Sequence, residues 1–379
     1  MTSLKPNSDY FNPFPGLRPF TLDESDLFFG RDNESEEIVR KLISNGFVAV
    51  LGPSGSGKSS IVQCGLWRTL HLRLGNDPFS NLADLLFSET GQNKKNQDQK
   101  NEIISILKNE PDGINEALNI LKTKSGEKLL LFVDQFEELL RLGTLGSGFD
   151  LLAERFVNLL VKTAGNRNGR IFIVLAMRSD LLAECARYKG LTQLISGSNF
   201  LIPRMTRENF REVIVGPVKY AGATIDPDLV EKMIDEIEDQ TDQLPVLQQA
   251  LMRTWTRWQE LDDPGRPINH SDYIAVGTMT DAISKHGDEV YDRLDPGEKL
   301  ICERLFKTIT GKSPDNKEIR RPLDLQTIRA SLQFSYDDLI KVIEAFRAPS
   351  ISFLTPRFDT LIDETSVIDL SHESLINLW

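Results

Sequence analysis

Residues Ala49 to Ser60 read AVLGPSGSGKSS, and Gly52 to Ser59 satisfy the pattern G-x-x-x-x-G-K-[ST] without a mismatch. The pattern carries weight only between a strand and a helix. Both flanks agree. NGFVAV is a short apolar, β-branched run bounded by glycine, which predicts a buried parallel strand ending at Leu51. KSSIVQCGLW reads as the first turns of a helix. Gly52, Gly55 and Gly57 free the backbone to wrap phosphates, so that successive N–H groups point inward at the positive end of the helix dipole. Lys58 adds a mobile charge for the β- and γ-phosphates, and the Ser59 hydroxyl can ligate Mg²⁺. The cofactor-binding stretch expected here is Gly52, Pro53, Ser54, Gly55, Ser56, Gly57, Lys58, Ser59 and Ser60.

A second apolar run, KLLLFVDQFEELLRL, ends in Asp134 and looks like a Walker B segment. A carboxylate at the C-terminal end of a strand adjacent to the loop strand would hold Mg²⁺ together with Ser59. The bland alternative is Asp134 as a helix N-cap. A third run, RIFIVLAMRSD, ends in Arg178, whose guanidinium could reach a γ-phosphate from the next strand along. Gln135 stands where fast P-loop ATPases carry a glutamate, and a glutamine can position water but cannot take its proton. Glu137 and Glu138 lie two and three residues past Gln135. Either one is turned inward by the helix start, Glu137 being the candidate catalytic acid, or both are solvated first-turn acids. Slow or conditional hydrolysis, by a Mg²⁺-dependent ATPase with Lys58, Asp134, Glu137 and Arg178 as its working residues, follows from this reading.

The 379 residues allow two or three domains. An apolar fraction of 40% and a charged fraction of 26% suit a water-exposed globular chain, and no apolar run approaches the roughly 18 residues a membrane helix needs. The first residues lack the apolar core of a secretion signal. Three scattered cysteines form neither a disulfide framework nor a zinc pattern, so a reducing cytoplasm is the expected compartment. A formal charge of −12 argues against nucleic acid as a partner.

Residues 1–25 are rich in proline and aromatic side chains and should run extended along the next domain. Residues 26–205 hold the strands expected at Phe47–Leu51, Leu129–Val133, Ile171–Ala176 and Phe200–Ile202. Leu70, Leu72 and Leu74 alternate with polar residues, which suggests a strand by period; a longer helix continuing from the loop competes with it. The polar run 91–102 reads as a mobile surface insertion. Residues 206–285 show helical apolar spacing. In 286–379, two or three helices followed by a short hairpin describe a winged helix. The fold class expected is α/β: a P-loop NTPase parallel sheet sandwiched by helices, then an α-helical domain and a winged-helix domain.

These stretches together carry a resemblance. NPFPGLRPF, LFFGRDNESEEIVRKL, AVLGPSGSGKSS, FVDQFEELL, AMRSDLL, DQLPVLQQAL and LSHESLINLW, in this order along nearly the whole chain, resemble the novel STAND group of signal-transduction ATPases, relatives of the AAA+ proteins. The resemblance implies an ATP/ADP-binding switch module with Mg²⁺. It places Phe29, Gly30 and Arg31 against adenine and ribose, Pro245 on the base, and His372 on the β-phosphate of ADP as a lock of the closed state. Residues Phe28 to Glu34 also read as a loop and helix start, with Asp32 or Asn33 as cap and Ile38 and Leu42 on one face, and Pro245 as a helix-start proline. The site departs from the family in Gln243 and Leu244, where a glycine is common. Arg320 and Arg321 match a basic pair but read as a solvated one. The resemblance further implies protein partners through a sensor region C-terminal to Trp379, and self-association on activation. The rival reading is a winged-helix DNA-binding AAA+-type ATPase, which the acidic balance and the lack of a Lys/Arg-rich recognition helix disfavour. A phosphotransferase or steadily cycling ATPase is disfavoured by Gln135.

Overall fold

The computed structural model describes residues 11–66, 69–75, 77–90, 97–121, 128–142, 147–166, 169–238, 243–312 and 318–379. The chain clusters into two compact units, one built from Phe20–Ser25 and Arg31–Arg204, the other from the N-terminal segment up to Pro19, Asp26–Gly30 and Met205–Trp379.

The first unit is an α/β fold. Its five parallel strands are β1 (Phe47–Gly52), β2 (Thr69–Arg73), β3 (Leu129–Asp134), β4 (Ile171–Arg178) and β5 (Asn199–Leu201), in the order β2-β3-β4-β1-β5. β1 is buried at every position, as a central strand covered by helices must be. At the sheet edge β2 alternates half-exposed with buried residues, so its period-2 pattern marks a true strand. The competing long helix does not form, and the helix after the loop is short, α2 (Lys58–Gly65). One expectation is corrected by the strand order. β3 is not adjacent to β1; β4 lies between them and pairs with both. Crossovers carry the chain from β1 out to the edge at β2 and back through β3, which leaves the slot beside β1 to β4.

Local chemistry shifts several other boundaries. Helix α1 (Asp32–Asn45) has Arg31 as its N-cap residue with no side-chain cap bond, so neither Asp32 nor Asn33 caps it; Ile38 and Leu42 are fully buried on its inner face. Helices α1 and α2 pack tightly, since a Cβ on Gly65 would lie 2.2 Å from Ser35 Oγ. Of the run 91–102, residues 91–96 lie outside the described residues, while Gln97 opens a helix to Asn109 that buries Ile103 and Leu107. Of the segment 1–25 expected to run extended, residues 1–10 lie outside the described residues, and its end enters the 3-10 helix Leu22–Leu27.

In the second unit, helices span Arg207–Tyr220, Pro227–Glu238, Gln243–Glu260, His270–Ala275 and Thr278–Asp292. Thr206 and Asn269 close capping boxes at two of their starts, satisfying amides the helices cannot. The N-terminal segment belongs to this core: Phe14 packs edge-on against Trp255, and Asn12 donates to Met252 O at 2.9 Å. Then come helices Pro296–Thr308, Leu325–Leu332 and Tyr336–Arg347, a hairpin of β6 (Thr310–Lys312) and β7 (Glu318–Arg320), and a three-stranded antiparallel sheet. That sheet is formed by β8 (Leu323–Asp324), β9 (Leu354–Thr355) and β10 (Val367–Leu370), in the order β8-β10-β9. Among the described residues no helix is long and apolar enough to cross a membrane.

Candidate functional site

The glycine-rich loop leaves the C-terminal end of β1 and closes into α2. Gly55 and Gly57 adopt positive φ, +70° and +86°, which a residue with a side chain reaches only at a cost. A Cβ on Gly52 would lie 2.6 Å from Ser56 Oγ, so the Ser56 side chain folds back onto the start of the loop and leaves room there only for glycine. The first amides of α2 have no acceptor within the helix, and the positive end of its dipole lies where the loop ends, at the N-cap Gly57. Lys58 Nζ donates to the carbonyls of Gly52 at 3.0 Å and Pro53 at 2.7 Å, which folds its charge over the loop. Ser60 Oγ accepts from the Phe20 amide at 3.2 Å, a contact that sequence reasoning missed. Glycine-rich backbone, helix-start amides and a lysine are the donor set that suits a polyphosphate.

Asp134 ends β3 and is 1% exposed. The Ser59 hydroxyl donates to its Oδ1 at 2.9 Å, and the Gln135 amide donates to the same oxygen at 3.0 Å. His71 Nε2 lies 3.2 Å from Oδ2, and its ring stacks on Phe132 at 5.0 Å. Burial pushes this carboxyl up, but the His71 hydrogen bond and charge, the nearby Arg73 and the Ser59 hydrogen bond outweigh it and hold the group at about 2. Asp134 is therefore an anion at any physiological pH. Ser59 and Asp134 offer the oxygen pair that a divalent cation bound to phosphates needs. Among the described residues no cluster of three or more His, Cys, Asp or Glu makes a self-sufficient metal site, so phosphates and water would complete the shell.

Of the two acids after Asp134, Glu137 is the one turned inward. It is 8% exposed, and its Oε2 is buried without a hydrogen-bond partner. Burial raises its pKa, opposed by its own and the Arg178 backbone amides and by the Lys58 charge, while Asp134 pushes it further up. Glu138 instead accepts from the Gly75 amide at 3.2 Å. Gln135 sits at φ +53° with its Oε1 buried and unpartnered, so this turn is strained and holds two unsatisfied oxygens. Arg178 ends β4 beside Gly52. Its guanidinium grips Asp180 at 3.1 and 2.9 Å.

Lys58, Ser59, Asp134, Glu137 and Arg178 thus converge at the C-terminal edge of one sheet. His71 and Asp180 join them unanticipated. His71 was visible only as the polar member of the alternating TLHLR, and Asp180 only as an acid two residues past Arg178. Arg31, expected at the nucleotide, is buried and donates to Glu34 Oε1 at 2.8 Å and Pro203 O at 3.0 Å.

The other predicted residues belong to the second unit. The Phe29 ring lies against Gly216, where an added Cβ would come within 2.5 Å of it; Gly30, at φ +80°, approaches Asn209 O. Pro245 is buried in the first turn of the helix Gln243–Glu260. His372 Nδ1 accepts the Ser374 amide at 3.1 Å, so the neutral ring carries its proton on Nε2. Arg320 corrects the reading of a solvated pair. It is 13% exposed, bonds to Asp369 Oδ2 at 2.7 Å and Leu370 O at 3.0 Å, and pins β7 to β10. Arg321 is exposed.

Among curated proteins, a search finds none that matches the chain. Solved structures similar to it include a Walker-type ATPase of Pyrococcus abyssi, at 15% identity and TM-score 0.48, covering 96% of this chain and 98% of that one. The Aeropyrum pernix ORC2 protein in its ADPNP–ADP complexes matches at 12% identity and TM-score 0.48, covering 92% and 91%. A RuvB protein of Thermotoga maritima matches at 15% identity and TM-score 0.39, covering 96% and 98%. The model of one family, Novel STAND NTPase 1, matches residues 13–379. With that match over almost its whole length, the chain belongs to the Novel STAND NTPase 1 family and is a nucleotide-binding P-loop NTPase.

Proposed function

We propose that the chain is the ATP/ADP-binding switch module of a signal-transduction NTPase, one that hydrolyses ATP slowly and reads out which nucleotide it holds. The observation that carries the reading is the Ser59–Asp134 contact of 2.9 Å beneath the loop, because it joins the phosphate-gripping and cation-holding elements in one geometry. In this reading Gly52–Ser59 are the Walker A loop and Asp134 the Walker B acid, with Mg²⁺ taken by Ser59 and Asp134. Glu137, with its raised pKa and unpartnered oxygen, takes the proton of the attacking water. Gln135 cannot do so, which keeps turnover low and makes the bound nucleotide a persistent state. Arg178 senses the γ-phosphate. Phe29, Gly30 and Pro245 serve the adenosine end, and the Nε2–H of His372 is a donor suited to a phosphate oxygen.

The module organisation belongs to the same proposal: a nucleotide-binding domain over 26–205, a helical domain over 206–285, and a winged-helix domain over 286–379. Nucleotide identity biases two arrangements of these parts, so phosphate occupancy is the signal. The test is the nucleotide that co-purifies. Wild-type chain, denatured and analysed by anion-exchange chromatography, is expected to release near-stoichiometric ADP, and Lys58→Ala to release almost none. A wild-type site that is empty and shows no ATP affinity refutes the reading.

A further inference from the structure

Arg178 leaves β4 level with Gly52, the first residue of the loop. Its guanidinium is already engaged there. Nε donates to Asp180 Oδ1 at 3.1 Å and Nη2 to Oδ2 at 2.9 Å, a two-point grip that fixes the plane of the fork. The carboxylate stands two residues along, in the 3-10 helix Ser179–Arg187 that follows β4 without a gap. The partner is therefore local, two residues along the same backbone. Neither side chain is locked in the core, with Arg178 27% and Asp180 56% exposed, so the pair has the strength of a surface ion pair, which a more highly charged anion displaces. The Arg178 hydrogen bond is the main influence holding the Asp180 carboxyl below its ordinary value, and the Lys58 charge adds to it. The two cations best placed to meet a phosphate chain thus act on one carboxylate.

We propose that Asp180 is an internal stand-in for a terminal phosphate: it holds Arg178 until a nucleoside triphosphate offers a competing anion, and so sets how far the site distinguishes triphosphate from diphosphate. This inference rests on the nucleotide reading above. A carboxylate in this place lowers triphosphate affinity, because Arg178 must be taken from it. A diphosphate lacks the group that would displace Asp180, so its affinity does not enter this competition. Asn at position 180 keeps the size and one oxygen but releases the guanidinium cheaply. Its loss of negative charge near Lys58 favours every nucleotide alike, so the ratio of affinities, not either affinity alone, reports the gating.

The experiment uses the full chain freed of nucleotide by EDTA and phosphatase, titrated with mant-AMPPNP and with mant-ADP in Mg²⁺. Asp180→Asn is expected to raise the triphosphate-to-diphosphate affinity ratio about fivefold, the scale of one exposed ion pair. In an Arg178→Ala background the same substitution should leave the ratio where it was. Asp180→Ser repeats the charge loss with a smaller side chain, and thermal melting of each variant shows that it is folded. A ratio unmoved by both substitutions in folded protein that binds both nucleotides overturns the proposal, as does an equal shift without Arg178. Wild-type chain that binds neither nucleotide overturns the nucleotide reading itself, and this inference with it.

Discussion

Glu137 owes its chemistry to a turn of one residue. Its neighbour Glu138 faces the Gly75 amide, whereas Glu137 is driven inward against Lys58 and the Arg178 backbone, where desolvation lifts its pKa. If it accepts the proton of water, Glu137→Gln should keep nucleotide binding and cut single-turnover phosphate release by about 10²- to 10⁴-fold. The sign of the pH dependence follows from the direction of the shift. The acidic limb of the rate profile should fall at a higher pH than for an ordinary glutamate, because the base works only when ionised. Turnover by the glutamine variant equal to wild type would assign the base elsewhere. The loop residues were legible because phosphate gripping demands glycines, a lysine and a hydroxyl at fixed spacing. The choice between Glu137 and Glu138 was not, since both fit a first helical turn and only the packing of Phe136 and the β4 backbone decides between them. His71 was hidden for a related reason: its role depends on β2 lying beside β3, a register of His71 with Phe132 that no local pattern encodes.

Elements were read well where periodicity is strong and poorly where order matters. The apolar runs marked β1, β3 and β4 within a residue or two, but hydrophobicity says that a strand is buried, not which strand lies beside it. The expected adjacency of β1 and β3 failed on that ground. The α1–α2 contact is another long-range fact, set by Gly65 against Ser35. Gly65→Ala is expected to destabilise the folded chain by about 1–3 kcal/mol through overpacking, read as a lower melting temperature or denaturation midpoint. Ser35→Gly in the same chain should recover part of that loss. A Gly65→Ala variant as stable as wild type would show that the two helices separate freely. Capping boxes such as those at Thr206 and Asp295 need no such test, since Ser/Thr/Asp three residues before a reciprocal partner is local chemistry.

At the scale of the whole molecule, family membership was legible because seven short stretches stand in one order along nearly the whole chain. The switch proposal predicts a specific kinetic outcome. His372→Ala should speed mant-ADP release in stopped-flow chase experiments while leaving the loop intact, by roughly tenfold if one hydrogen bond to a charged group is lost. An unchanged off-rate would remove His372 from the lock. The Ser374 amide that fixes its tautomer would then be only a helix-start contact. The strand order has one more consequence. With β4 wedged between the strand that delivers the loop and the strand that delivers Asp134, its tip straddles the two halves of the chemistry, and its backbone pairs directly with both. On the switch proposal, a shift of that tip by the width of a single atom would be felt on the phosphate side and the cation side at once, and the middle of the sheet, rather than its rim, would be where occupancy becomes mechanical.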